Sequence, residues 1–176
     1  MPSRALLRLA APVAVVSVVA LAGGAVAHGE DTMCRVVKDE AISPGLSLQG
    51  SSGVFRTVST GVITCVGDVN GYKPTGPGTF TESGRYGTKD PDTCLGGGEA
   101  EGNFIVSIPT SGGLKSVTRD FRITYGEPSV RGGVIAGKIE GNDFHGTLDI
   151  IPTEGDCVVR PVTRIYAVQD LMFFSA

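Results

Sequence analysis

The feature that most constrains the fold is that the chain beyond residue 34 consists of short runs of alternating apolar and polar residues, each closed by a turn-forming cluster. No segment of about ten residues in this part combines a helical apolar stripe with freedom from interior Gly and Pro, which interrupt helices. Alternation with period two places every second side chain on the same face of an extended strand. The chain is therefore predicted to be all-β.

The clearest strands are predicted at residues 98–108, 116–125 and 144–150, where one face is apolar and the other polar. Less regular strands are predicted at 54–58, 62–66, 79–87, 130–139 and 162–174. The segments between them are rich in Gly, Pro, Asp and Asn, which favour turns. This spacing predicts an antiparallel meander of about seven or eight strands. Both a closed or partly closed barrel and a β-sandwich satisfy the pattern.

Glycines inside the predicted strands favour the barrel. A strand interior tolerates glycine poorly unless the strand bends or a neighbour approaches closely, and the coiled strands of a barrel need such bends. The glycines at interior positions are Gly84, Gly102, Gly132, Gly133, Gly137 and Gly146. The alternative is that a chain so rich in glycine has some glycines inside strands by chance.

The first 27 residues have the three parts of a secretory signal peptide. Arg4 and Arg8 give a basic start, residues 10–22 form an apolar run, and Ala25-Val26-Ala27 supplies the small residues of a cleavage site. Cleavage after Ala27 would leave a mature chain that begins at His28.

The mature chain, residues 28–176, is predicted to be a single domain that is secreted to the extracellular space or the cell envelope. An uncleaved anchor is the alternative, because residues 6–27 approach the ~20 residues that span a bilayer. No second apolar run of spanning length follows, so the mature chain is not expected to cross a membrane.

The charge of the domain argues against nucleic acid as a partner. The chain has 15 Lys and Arg against 18 Asp and Glu, and loss of Arg4 and Arg8 would leave 13 basic residues. These are scattered singly, whereas nucleic-acid binding needs a concentrated basic face.

Four cysteines in a chain sent to an oxidising compartment predict two disulfides. They are Cys34, Cys65, Cys94 and Cys157. Their wide spacing, together with only two histidines in the whole chain, argues against a zinc site. No metal or other cofactor is expected.

The strand count favours one pairing of the four cysteines. Cys65 and Cys94 are separated by one predicted strand, 79–87, which holds its ends some 30 Å apart at ~3.3 Å per residue. A disulfide needs Cα atoms within ~7 Å. In a meander, successive loops alternate between the two ends of the barrel, which brings the loop of Cys157 back to the end of Cys94. The hypothesis is therefore Cys94 with Cys157 and Cys34 with Cys65.

Two charged residues interrupt the apolar faces of predicted strands. Glu82 shares a face with Phe80 and Tyr86, and in the strand that ends at Tyr125, Arg119 shares a face with Phe121 and Ile123. Buried charges persist only when they are paired or hydrogen-bonded. Either these residues form the polar part of a ligand cavity, or they lie near strand ends and reach solvent. The candidate ligand-binding residues are Glu82, Tyr86, Arg119 and Tyr125.

No catalytic set is recognisable in the sequence. His145 is predicted to point outward and has no nucleophile motif to partner it. Glu99 and Glu101 share one strand face, and paired carboxylates can perform the acid and base work of a glycosidase, but a solvated strand face is favoured. The segments 68–71 and 90–92 do not complete a calcium loop, and turns are favoured there.

The stretches TGPGTFTESGRYGTKDPDTCLGGGEAEG and GDCVVRPVTR resemble a group of small secreted actinobacterial proteins that carry no assigned activity. The resemblance covers most of the mature chain. It implies a glycine-rich β domain in a cell envelope or culture medium, and it brings no functional residue with it.

Two classes of function follow. The first is a non-catalytic barrel that binds a small apolar ligand or serves in the cell envelope. The second is a small barrel enzyme of the lipocalin-like cyclase or isomerase type, in which Glu82, Arg119 and either Tyr86 or Tyr125 act in the lumen.

Overall fold

A computed structural model describes residues 32–69, 71–94, 97–125, 133–139 and 142–173. Within these ranges the chain forms nine strands and no helix. The strands are β1 (Thr32–Leu46), β2 (Gly53–Thr57), β3 (Gly61–Val66), β4 (Gly78–Tyr86), β5 (Gly98–Thr110), β6 (Gly113–Tyr125), β7 (Gly133–Ile139), β8 (Asn142–Glu154) and β9 (Val162–Phe173). The predicted signal peptide, its cleavage site before His28, and Gly132 lie outside the described residues.

All nine strands belong to one antiparallel sheet that closes into a ring. Neighbouring strands pair in the order β2-β1-β3-β4-β5-β6-β7-β8-β9, and β9 pairs with β1 to complete the ring. The strands β2 and β3 share one position, because both pair with β1 on one side and with β4 on the other. The all-β meander expected from the sequence is thus confirmed, and its closure is that of a closed or partly closed barrel.

The strand β1 is absent from the strands predicted by alternation. Its inward side chains are Cys34, Val36, Lys38, Glu40 and Ile42, all buried. Two charged residues stand among them, so the segment does not read as an apolar face. The burial of its side chains nevertheless alternates along the strand. β1 is the strand that the apolar pattern did not predict, so the described chain has nine strands where seven or eight were expected.

The side chains that point into the ring form the core. Most are aliphatic or aromatic, and Phe104 stacks against both Phe80 and Phe121, with ring centroids 5.7 and 6.3 Å apart. Burial of such side chains contributes about 1.5–3 kcal/mol each relative to exposure. A ring of eight strand positions is just wide enough for side chains to fill its interior.

Two disulfides tie the ring at its two ends. Cys34 of β1 lies opposite Cys65 of β3 and is bonded to it, near the end of the ring where β1 begins. At the other end, Cys94 and Cys157 join the β4–β5 loop to the β8–β9 loop. These are the two bonds that the strand count favours. Together they include all four cysteines, so no free thiol is left.

Candidate ligand cavity

The ring encloses two adjoining cavities of about 70 and 50 Å³. Glu82, Ile123 and Gln169 line both, so the cavities meet at a polar point in the middle of the interior. The larger one, called here the central cavity, lies toward the end of the ring that carries Cys94. Its apolar wall includes Ile42, Phe55, Ala100, Ile123, Leu148 and Ile165.

A buried cluster of charged side chains stands beside the central cavity. The Lys38 side chain is 0% exposed, and it contacts Glu40 and Glu82, whose side chains are 8% and 7% exposed. The Lys38 Nζ atom also lies 5.3 Å from the centre of the Phe80 ring, within the range of a cation–π contact. Burial lowers the pKa of Lys38, and the neighbouring Glu40 carboxylate opposes that change.

The cluster holds one basic and two acidic groups. Gln169 adds a fourth buried polar side chain, 7% exposed, that carries no charge. Lys38 Nζ and Glu40 Oε1 form an ion pair at 3.1 Å, although neither atom is aligned for a hydrogen bond. Glu40, Glu82 and Gln169 line the central cavity, whereas Lys38 is not part of its lining. A molecule in this cavity would therefore meet carboxylate oxygens and an amide.

Two tyrosines close the central cavity toward the loops. The Tyr125 hydroxyl donates to Asp92, which is 1% exposed, and the Gly87 N–H donates to the same carboxylate oxygen at 2.9 Å. The Tyr86 hydroxyl donates to the Pro44 carbonyl oxygen. Because both hydroxyls are hydrogen-bonded to residues outside the cavity lining, the tyrosines offer the cavity mainly their rings.

Burial also changes the ionisation of this closed end. Desolvation raises the pKa of Asp92, and the hydrogen bonds from Tyr125 and the Gly87 backbone oppose the rise. Burial and the Asp92 carboxylate raise the pKa of Tyr125 well above its ordinary value, and burial raises the pKa of Tyr86. Both tyrosines stay neutral at physiological pH.

The central cavity brings together three of the four residues singled out from the sequence. Glu82, Tyr86 and Tyr125 all line it. Arg119 lines neither cavity: it is half-buried, lies opposite Phe104 in the β5–β6 register, and donates from Nη1 to the Thr118 carbonyl oxygen at 3.0 Å. The basic partner of Glu82 is Lys38 instead.

Sequence reasoning missed Lys38, Glu40 and Gln169. The signal was present in β1, where Lys38 and Glu40 alternate with Val36 and Ile42 at the strand period. Gln169 likewise sits between Ala167 and Leu171 on the inward face of β9. A polar residue that keeps the parity of an apolar face is a candidate for a buried polar site.

Two other residues considered for chemistry, His145 and Glu101, lie on the outside of the sheet. His145 is exposed. Glu101 forms ion pairs with Arg85 at 2.5 Å and with Arg122 at 2.8 Å on the outer face of the sheet. In the described part of the chain, no group of three or more His, Cys, Asp or Glu is placed to hold a metal ion. The same ranges contain no helix that is long and apolar enough to cross a membrane.

Comparison with known proteins adds no relative to this picture. Neither a protein-family model, nor a curated protein, nor a solved structure matches the chain significantly.

Proposed function

We propose that the protein is an exported, non-catalytic barrel that binds a small, mainly apolar ligand in its central cavity. The observation that supports this most is the composition of the cavity: an apolar wall interrupted at one point by Glu40, Glu82 and Gln169. Apolar walls with a few convergent polar groups are typical of ligand sites, in which the polar groups set orientation.

The cavity limits the size of the ligand. Its volume of about 70 Å³ lies well below the ~150 Å³ of an engineered cavity that binds benzene, and far below the ~300 Å³ of ordinary ligand pockets. The ligand is therefore a molecule of a few non-hydrogen atoms, or the short end of a longer one that enters between the loops.

Native mass spectrometry of the protein purified from the cells that produce it tests this function directly. A retained small molecule, absent after denaturation, is the expected result. The cavity-filling variant Ala100→Val should release it, because Ala100 is 4% exposed and lines the cavity. The matched control Ala136→Val changes a half-buried alanine that does not line it. Equal ligand content in both variants would contradict the proposal.

Export is part of the same proposal. Two disulfides fit an oxidising compartment outside the cytoplasm, and the sequence of the first 27 residues fits a cleaved signal. The intact mass of the secreted protein should correspond to a chain that begins at or near His28. The resemblance of its sequence to small secreted actinobacterial proteins supports a location in a cell envelope or culture medium.

One observation favours an enzyme of the cyclase or isomerase type as the second candidate. Lys38 and two glutamates form a buried cluster at a cavity wall, and such groups can move protons during a rearrangement. The variant Glu82→Gln distinguishes the two functions, because it would abolish turnover in an enzyme but only weaken association in a binding protein.

A further inference from the structure

We propose that the central cavity selects a small organic cation, a protonated amine on a short apolar body. This inference rests on the proposed ligand-binding function and names the chemical class of the ligand. It starts from the asymmetry of the charged cluster, in which Glu40 and Glu82 face the cavity and Lys38 stands behind them.

The charge of the cluster favours a cation over other ligands. When all three groups are ionised, two carboxylates face one ammonium, and the side chains are at most 8% exposed. In such a poorly solvated place an uncompensated negative charge is unfavourable, and a ligand with one positive charge balances it. An anionic ligand would add to the excess and is disfavoured.

The hydrogen bonding of the cluster points to a donor. Glu40 Oε1 and Lys38 Nζ are both buried and form an ion pair at 3.1 Å, but neither atom is aligned for a hydrogen bond, so the carboxylate oxygen can accept one from a further donor. A buried acceptor normally has a partner. An ammonium group has three N–H donors, enough to reach Glu40, Glu82 and the carbonyl of Gln169, which line the same cavity.

The rest of the cavity favours an alkyl or similar body on that ammonium. Beyond the polar point, the wall is formed mostly by aliphatic side chains and by the rings of Phe55, Tyr86 and Tyr125, with Thr93 at the end near the loops. The hydroxyls of both tyrosines are already hydrogen-bonded, that of Tyr86 to the Pro44 carbonyl oxygen and that of Tyr125 to Asp92. The ligand should therefore have a single polar head and an apolar remainder.

Two probes of the same shape test the inference: n-butylammonium and n-butanol, titrated separately into the mature protein and followed by NMR. The wild-type protein should bind n-butylammonium at least tenfold more tightly than n-butanol, and methyl groups of Ile42 and Ile123 should show contacts to the bound alkyl chain. In Glu40→Gln the preference should fall to about threefold or less, because the cluster then carries one positive and one negative charge.

Glu40→Gln keeps the Lys38–Glu82 ion pair, so the variant retains a balanced buried pair, and circular dichroism checks its fold. The matched control is Glu101→Gln, which removes the same charge from the outer face and should keep the full preference. If Glu40→Gln does not fold, the contacts of the bound probe in the wild-type protein decide where the ammonium lies.

The outcomes separate this inference from the proposed function. Tighter or equal binding of n-butanol overturns the cation preference and leaves a ligand-binding cavity in place. A preference that persists in Glu40→Gln, or probe contacts confined to the outer face, also overturns the inference. Absence of binding by either probe, together with no retained ligand in the native protein, would remove both the inference and the proposed function.

Discussion

Gly84 of β4 lies directly opposite Gly102 of β5, and neither position has room for a Cβ atom. A Cβ on Gly84 would stand 2.2 Å from the Glu101 carbonyl oxygen and 2.8 Å from Cζ of Phe55. A Cβ on Gly102 would stand 2.2 Å from the Ser83 carbonyl oxygen. Two strands of the ring approach closely here, and the space beneath them is occupied by an aromatic ring of the core.

The first prediction is that Gly84→Ala destabilises the protein by about 1–3 kcal/mol, the usual cost of overpacking. The added methyl group has to displace backbone atoms of β5 or the Phe55 ring. Gly76→Ala is the matched control, because its nearest neighbour would be 3.9 Å from the new Cβ. Urea unfolding of both variants measures the difference. Equal stability of the two would show that the β4–β5 approach is looser than described.

The second prediction concerns Lys38. Lys38→Met should lower the free energy of unfolding by about 3–5 kcal/mol, because it leaves two buried carboxylates without a partner. The triple variant Lys38→Met, Glu40→Gln and Glu82→Gln should recover part of the loss, since no buried charge remains. Lys89→Met, at an exposed lysine, serves as the control. Chemical denaturation checks all three, and a Lys38→Met protein as stable as the wild type would contradict the buried cluster.

The third prediction is a pH dependence that comes from Asp92. Because burial raises the pKa of Asp92 in the folded protein, the folded state holds the proton more tightly than the unfolded state. The contribution of Asp92 to stability is then fully present below the ordinary aspartate pKa of ~3.9 and is lost as the pH rises through the raised value.

Asp92→Asn removes this proton equilibrium. Unfolding measured between pH 3 and pH 7 should show the wild type losing stability relative to Asp92→Asn as the pH rises. Asp90→Asn, at an exposed neighbouring position, should parallel the wild type. A difference between wild type and Asp92→Asn that is constant over this range would refute the assignment.

The fourth prediction concerns the disulfide that joins the two loops. The double variant Cys94→Ser and Cys157→Ser removes a disulfide whose cysteines are 63 residues apart in the sequence. By the chain-entropy relation, this should lower the free energy of unfolding by about 4 kcal/mol. Thermal or denaturant unfolding measures the loss. Peptide mapping without reduction should yield the Cys34–Cys65 and Cys94–Cys157 peptides, and a Cys65–Cys94 peptide would require a different strand count.

The fold could be predicted from sequence wherever one face of a strand is apolar. In β5, the expected inward residues Ala100, Val106 and Ile108 are buried, and Phe104 packs against the core. In β1 the same reasoning fails, because Lys38 and Glu40 occupy inward positions. Their burial depends on Glu82, which belongs to a strand far along the chain, and local periodicity carries no information about such a partner.

The site was predictable to the same extent. The acid at Glu82 and the rings of Tyr86 and Tyr125 could be placed on an inward face, because each keeps the parity of Phe80 or Phe121. The basic residue that pairs with Glu82 could not be identified from the sequence. Arg119 has the right parity and lies opposite the core residue Phe104, yet it lines neither cavity, whereas Lys38 of β1 contacts Glu82. Which base meets Glu82 is decided by the register of the whole sheet.

The pairing of β1 with β9 has a consequence for the order of events during synthesis. β1 can pair with β2 and β3 soon after these strands are synthesised. Its other edge pairs with β9 (Val162–Phe173), which is the last of the nine strands in chain order. Until then β1 and β8 present open edges, which are templates for pairing with another chain. A nascent molecule is therefore most exposed to strand exchange with a second copy just before its last dozen described residues emerge.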